Sequence, residues 1–250
     1  MDEQTTVLAP EQAWAALMAH RSAYYAPYSA VYCGAEKALR KTAKPKSFWR
    51  RASKQKIHVP IAADIATTGS DLLFGEHPKI ICVDDMKEQP NGEGQKRLEE
   101  ILRINAMSAL LNEAAESAAA LGDVYLKIAW DVLRLSCPMI RVVQGDDAWP
   151  EYRLGTLRAI HFFTIIEEER SASGNVQSVI RAYELYEPKR ISTRLYRGTL
   201  DSLGAQMSDD EVQKLGIEPE VSTGTDEILA VHVPNIKPNR MFRGSYMGRS

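Results

Sequence analysis

The chain reads as α+β, with helices packed against an antiparallel sheet meander. Two observations predict this. Apolar residues recur at helical spacing in the segments 10–25, 60–74 and 93–121. From Val124 onward the period shortens, and short β-rich runs alternate with turn signals.

The first helix is expected over residues 10–25. Pro10 suits a first turn, Trp14, Leu17, Met18 and Arg21 follow at helical spacing, and Pro27 ends the run. A tyrosine-rich patch overlaps its end, with Tyr24, Tyr25, Tyr28 and Tyr32 leading into Cys33 and Gly34. Such patches occur in cores and interfaces more than in ligand sites. The next helix runs from Pro60 to Phe74. It places Ile61, Ile65, Thr68 and Leu72 on one face, the expected packing face of a buried helix, with Gly75 free to adopt a left-handed cap. Ile80 to Val83 reads as a short strand, and Pro90-Asn91-Gly92 as a loop.

Glu93 to Leu121 gives the strongest helical pattern, one continuous helix closed by Gly122. Its alanine-rich second half favours close packing on a neighbouring helix. Strands are expected at 124–130, 139–143, 157–168, 176–186, 191–196 and 227–233, with turns at Cys137-Pro138 and Ser171 to Gly174. Trp130 and Trp149 are expected to anchor sheet packing. Residues 201–227 are acidic, and Asp209, Asp210 and Glu211 suit the start of a short helix. The segment after Glu227 is basic, and Gly248-Arg249-Ser250 reads as a helix start.

With 250 residues the chain has enough length for one large or two small domains. Hydrophobic residues make up 44% and charged residues 26%, so a packed core is expected. The net charge of −2 gives no global attraction to polyanions, and any such attraction must be local. Cys33, Cys82 and Cys137 are widely spaced and odd in number, which reads as free thiols in a reducing compartment. The first residues lack the apolar core of a signal peptide, and no apolar run approaches the roughly 20 residues of a membrane helix. A cytosolic origin with no membrane contact is the expectation.

No P-loop, GxSxG or HExxH motif occurs. The chemistries of those motifs are therefore not expected, and the wide spacing of the cysteines and histidines gives no metal site or cofactor to expect. The local exception to the charge balance is Lys37 to Lys56, with nine basic residues, no acid, and Phe48 and Trp49 among them. Such a run neutralises phosphates, and its aromatics offer stacking surfaces. The alternatives are a solvated connector whose aromatics anchor it to the core, or a contact for an acidic neighbour such as residues 201–227. The candidate nucleic-acid or subunit contacts are Lys44, Lys46, Arg50, Arg51, Lys54 and Lys56, joined by Lys237, Arg240 and Arg243 near the end. Acidic groups at Asp84-Asp85, Asp146-Asp147 and Glu167 to Glu169, with Glu187-Pro188-Lys189, offer a weaker alternative, a metal-dependent nuclease. Solvated loop and strand-end acids are the plainer reading.

Several motifs occur together and in order. They are Tyr28-Ser-Ala-Val-Tyr32-Cys-Gly34, His58-Val-Pro-Ile-Ala-Ala-Asp-Ile-Ala with Asp71-Leu-Leu-Phe-Gly-Glu76, and Leu111-Asn-Glu-Ala-Ala-Glu116 with Ala120-Leu-Gly-Asp-Val-Tyr-Leu-Lys127. The last is His232-Val-Pro-Asn-Ile-Lys-Pro-Asn-Arg240 with Arg243-Gly-Ser-Tyr-Met-Gly-Arg-Ser250. Over roughly residues 25–250 the chain resembles the portal proteins of tailed bacteriophages, in particular the SPP1-like portal family. The resemblance implies a portal wing-like region, with residues 1–56 as an N-terminal helix, tyrosine segment and basic connector and 57–250 as the α+β wing domain. It implies a non-enzymatic homo-oligomeric ring, typically dodecameric, at a capsid vertex of the virion, assembled in the host cytoplasm. Double-stranded DNA would pass through that ring. Its implied partners are the major capsid protein, terminase, head–tail adaptors and a scaffold protein. Members of the family continue into stem helices, a clip and often a crown, so the chain is expected to represent the N-terminal part of such a protein.

Overall fold

The computed structural model describes residues 7–25, 60–84, 89–90, 92–129, 136–172, 174–237, 239 and 244–249. The fold is α+β with an antiparallel meander. In chain order the elements are α1 (Pro10–His20), a π-helical turn (Arg21–Tyr25), α2 (Ile61–Phe74), β1 (Val83–Asp84), β2 (Gln89–Pro90), α3 (Gly92–Ile104) and α4 (Met107–Leu121). There follow β3 (Asp123–Ala129), β4 (Met139–Gln144), a 3-10 turn (Gly145–Asp147), β5 (Ala148–Arg153), β6 (Thr156–Arg170), β7 (Val176–Glu187) and β8 (Arg190–Gly198). The last are β9 (Ala205–Gln206), α5 (Asp209–Lys214), β10 (Glu220–Ser222) and β11 (Ala230–Pro234). The main sheet has the order β10–β8–β7–β6–β5, with β9 also paired to β8; β11–β3–β4 form a smaller sheet and β1–β2 a short ladder. The chain divides into two compact units. One comprises residues 1–21, 125–128 and 143–233, the other 22–124, 129–142 and 234–250.

In the first unit the main sheet carries a hydrophobic layer on each face, as the two-residue side-chain period requires. On one face α1 buries Ala13, Trp14 and Leu17 against Phe163, Tyr183, Tyr196 and Leu203. Pro10 opens that helix, and the Ala9 N–H donates to the Gln12 side chain at 3.1 Å. Trp14 meets Phe163 edge-on with centroids 5.1 Å apart. On the opposite face Ala182 and Leu195 pack with Met207 and Val212. Further along, Ile160, Phe162 and Tyr186 pack with Tyr125 and Val143. Lys127 pairs with Glu184, and its Nζ lies 4.8 Å from the Phe162 ring centroid. Trp149 is half-buried against the first core cluster, as expected of a packing anchor, whereas Trp130 lies outside the described residues.

Strand β5 escapes the sequence pattern because Pro150 interrupts it. Its position explains the tolerance: β5 is an edge strand, where a residue without an N–H leaves no interior ladder bond unmade. The very short β9 and β10 carry no periodic signal of their own.

In the second unit several expectations change. The long helix over 93–121 is two helices, α3 and α4, broken at Asn105 and Ala106, where Ala106 takes a left-handed φ of 46°. The break is held by the Asn105 side chain. Its Nδ2 donates to the carbonyls of Ile101 (2.8 Å) and Pro138 (3.0 Å), and its Oδ1 accepts from the Ile140 N–H (2.7 Å). Helical periodicity runs on through such a break because the flanking apolar residues keep their spacing. Gly122 does cap α4 in the left-handed region, with φ of 89°.

The second change concerns α2. Its apolar residues do not form the buried face: Ile61 is 59% exposed, Ile65 67% and Leu72 83%. The helix instead buries its small residues Ala66 and Ser70, and Ser70 Oγ donates to the Asn112 carbonyl of α4 at 2.9 Å. α4 in turn buries Ala114 and Ala118. Small residues on both helices permit the close approach, so size outweighs hydrophobicity in choosing the packed face. Gly75 ends α2 with a right-handed φ of −60°, not a left-handed cap.

Third, no helix begins at Gly248 among the described residues. The Gly248 N–H donates to Asp123 Oδ1 at 2.7 Å, and its carbonyl accepts from Asn239 Nδ2 at 2.8 Å. A Cβ at this position would stand 2.0 Å from the Gly122 carbonyl oxygen, so the close approach requires glycine. The expected strand over 80–83 is likewise reduced to the two residues of β1.

Replacing Asn105 by Ala removes all three of its hydrogen bonds and leaves a buried N–H and two carbonyls to be satisfied by other means. A loss of about 2–3 kcal/mol is expected in urea unfolding. The Asn105→Asp variant keeps the acceptor but not the donors, and it should be nearly as unstable. Wild-type stability in both variants would show that the helix break does not depend on this side chain.

Candidate functional site

Of the candidate contact residues, Lys44, Lys46, Arg50, Arg51, Lys54, Lys56, Arg240 and Arg243 lie outside the described residues, as do Tyr28, Tyr32 and Cys33. Lys237 is exposed, with its Nζ 5.9 Å from the Tyr246 ring centroid. Cys82 and Cys137 are free thiols. Of the acidic groups, Asp85 lies outside the described residues, and several of the others have local partners. Asp146 faces Arg21 at 3.9 Å, Glu168 pairs with Arg170, Glu169 accepts from Ser178 at 2.7 Å, and Lys189 pairs with Asp226 at 2.9 Å. Among the described residues no three His, Cys, Asp or Glu side chains gather as a metal site requires.

A concave feature lies within the first unit, on the sheet face that α1 occupies. Val7, Leu8, Ala9 and Pro10 wall a trough of about 750 Å³ whose lining includes Tyr183, Leu185 and Glu187 of β7, Arg190, Ser192 and Arg194 of β8, and Glu220 of β10. Arg153 and Arg158, from β5 and β6, complete it. The register explains the gathering. Tyr183 pairs with Arg194, Leu185 with Ser192 and Glu187 with Arg190, so alternate residues of both strands fall on one face.

The four arginines are held differently. Arg190 donates through Nε (3.0 Å) and Nη2 (2.8 Å) to Glu187 Oε2, which raises its already high pKa further. Arg158 Nη1 lies 3.5 Å from Glu151 Oε1. Arg153 and Arg194 are exposed and form no ion pair among the described residues.

Under the wall of the trough lies a buried polar chain. The Leu8 N–H donates to Glu151 Oε2 at 3.0 Å, and that same oxygen faces His161 Nε2 at 3.5 Å. The other ring nitrogen, Nδ1, is 3.0 Å from the Tyr183 hydroxyl. His161 is fully buried. Desolvation holds its imidazole below the ordinary histidine pKa, against the opposing pull of Glu151. The neutral tautomer with its proton on Nε2 aims it at the carboxylate across 3.5 Å, too far for a formed hydrogen bond, and leaves Nδ1 to accept from the Tyr183 O–H. Burial pushes the Tyr183 phenol up, which keeps that proton in place. Glu151 thus ties the wall segment, the sheet interior and Arg158 together.

Glu187 belongs to the Glu187-Pro188-Lys189 group marked by the sequence and Pro10 to the expected helix start, whereas the four arginines, Glu151 and Tyr183 carry no contiguous charge signal. The available signal was alternation: Arg190, Ser192 and Arg194 are two apart, and their charges add to those of Arg153 and Arg158 only once the strands pair. The chain matches no protein-family model, and no curated protein matches it.

The neutral His161 fixes a sign. In the unfolded chain a histidine binds a proton near pH 6.5, whereas the buried ring resists it. Stability is therefore expected to be fully present above about pH 6.5 and to fall as pH drops below it. In His161→Gln that part of the slope should disappear. Urea midpoints of both proteins between about pH 5 and pH 8 check this; parallel curves would rule His161 out as the source.

Proposed function

We propose that the chain is the wing part of a portal-type structural subunit, one of many copies that close into a ring at a capsid vertex. The ordered set of motifs over residues 25–250 supports the reading, and the fold is compatible with it. The observation that carries it furthest is the apolar face of α2. Ile61, Ile65, Leu72 and Leu73 are all more than half exposed, and they sit inside one of the segments that carry the resemblance to portal proteins. Contiguous exposed apolar side chains mark contact surfaces, and a ring needs heterologous contacts that close on themselves. The role is mechanical: symmetry, a conduit for double-stranded DNA, and docking surfaces for terminase, capsid and head–tail proteins.

A second reading rests on Lys37 to Lys56, whose nine positive charges and two aromatics suit a stand-alone nucleic-acid-binding module. Charge reversal at Arg50, Arg51 and Lys54 should then abolish salt-sensitive DNA binding, and a wild type that shows no such binding would end this reading.

Electron microscopy and sedimentation of the full-length protein are expected to show rings with a central hole. Ile65→Glu combined with Leu72→Glu, both at exposed positions, should shift the rings to monomers without loss of helical signal. Monomers or dimers alone, at high concentration and across salts, would overturn the portal reading.

A further inference from the structure

We propose that the arginine-lined trough binds an extended acidic segment of a partner protein, with Arg153 and Arg194 as its principal carboxylate contacts. This inference stands independently of the ring reading.

The first argument is charge complementarity. Arg153, Arg158, Arg190 and Arg194 line the trough against two acids, Glu187 and Glu220. Guanidinium groups match carboxylates through paired N–H donors in a planar fork. Glu187 takes Nε and Nη2 of Arg190 and fixes the direction of that fork. Arg158 is anchored from behind by Glu151. Two of the four arginines are thus pre-oriented by carboxylates; Arg153 and Arg194 form no ion pair among the described residues, and Arg194 is steadied by a hydrogen bond to the Tyr196 side chain.

The second argument is the character of the remaining surface. Leu8, Pro10 and Leu185 place apolar side chains between the charges. An acidic segment with interspersed apolar residues satisfies both. The same surface disfavours single-stranded nucleic acid, which binds by stacking bases on exposed aromatic rings. The one aromatic lining the trough, Tyr183, is only 2% exposed and its hydroxyl is bonded to His161. The third argument is rigidity. The wall is pinned to the sheet by the Leu8 bond to Glu151, so little ordering accompanies binding.

The test is a fluorescence-anisotropy titration of the protein with a labelled short peptide alternating Glu and Leu, at low salt. A matched peptide alternating Gln and Leu serves as the control. The Glu peptide is expected to bind at least about tenfold more tightly than the Gln peptide, the ratio a single charge-assisted pair supplies. Arg153→Glu with Arg194→Glu should remove that preference and create one for a peptide alternating Lys and Leu. Arg170→Glu, at the far end of the β6–β7 hairpin, should change nothing. Circular dichroism and thermal unfolding confirm that each variant is folded. Equal binding of the Glu and Gln peptides overturns the proposal, as does an unchanged preference in the double variant. A single-stranded oligonucleotide that displaces the Glu peptide at lower concentration, and loses this ability in the double variant, would reassign the trough to nucleic acid. Ring assembly in the double variant is read separately, so failure here leaves the ring reading intact.

Discussion

Arg181 places a guanidinium in the interior of the main sheet, 2% exposed, and the first unit is organised around holding it there. A buried charge is tolerated only when its donors are matched. Its Nη1 donates to the carbonyls of Thr199 (2.6 Å) and Ser202 (3.1 Å), and its Nη2 to that of Leu200 (2.9 Å). The Trp14 ring covers the group, with Cζ 4.6 Å from its centroid. Burial and the neighbouring Arg21 lower its pKa from the usual guanidinium value. One side chain thereby closes the loop after β8 and supplies the seat for α1. Once α1 is seated, Val7 to Pro10 must cross the sheet beside it, which brings Leu8 to Glu151 and raises one wall of the trough.

Much of the fold was legible in the sequence, and the parts that were not share a cause. The strands expected at 124–130, 139–143, 157–168, 176–186 and 191–196 correspond to β3, β4, β6, β7 and β8 within a few residues, because β-propensity and turn chemistry are local. What depends on distant partners was illegible. Asn105 breaks a helix only because Pro138 and Ile140 receive its side chain. Pro150 sits in a strand only because that strand is the last in its sheet. α2 reads as amphipathic with Ile61 and Ile65 inward, yet the alanine surface of α4 selects Ala66 and Ser70.

The trough is the sharpest instance. Runs of charge such as Lys37 to Lys56 draw attention because they are contiguous, but strands assemble charge across the chain. Arg153, Arg158, Arg190 and Arg194 span some forty positions and carry no motif. They converge through antiparallel register alone. The buried chain of Leu8, Glu151, His161 and Tyr183 is equally dispersed, and each member is an ordinary residue type when viewed singly.

Pro150 has one more effect. A sheet ends in two strands whose outward N–H and C=O groups can template another chain, and proteins that work at high local concentration must blunt those borders. At one border proline removes a donor from a six-residue strand. At the other, β10 extends for only three residues, too short to nucleate a long ladder. The sheet is therefore poorly disposed to grow by accretion of its own copies. Any association between subunits is left to side-chain surfaces, where geometry rather than backbone stickiness decides which partner fits.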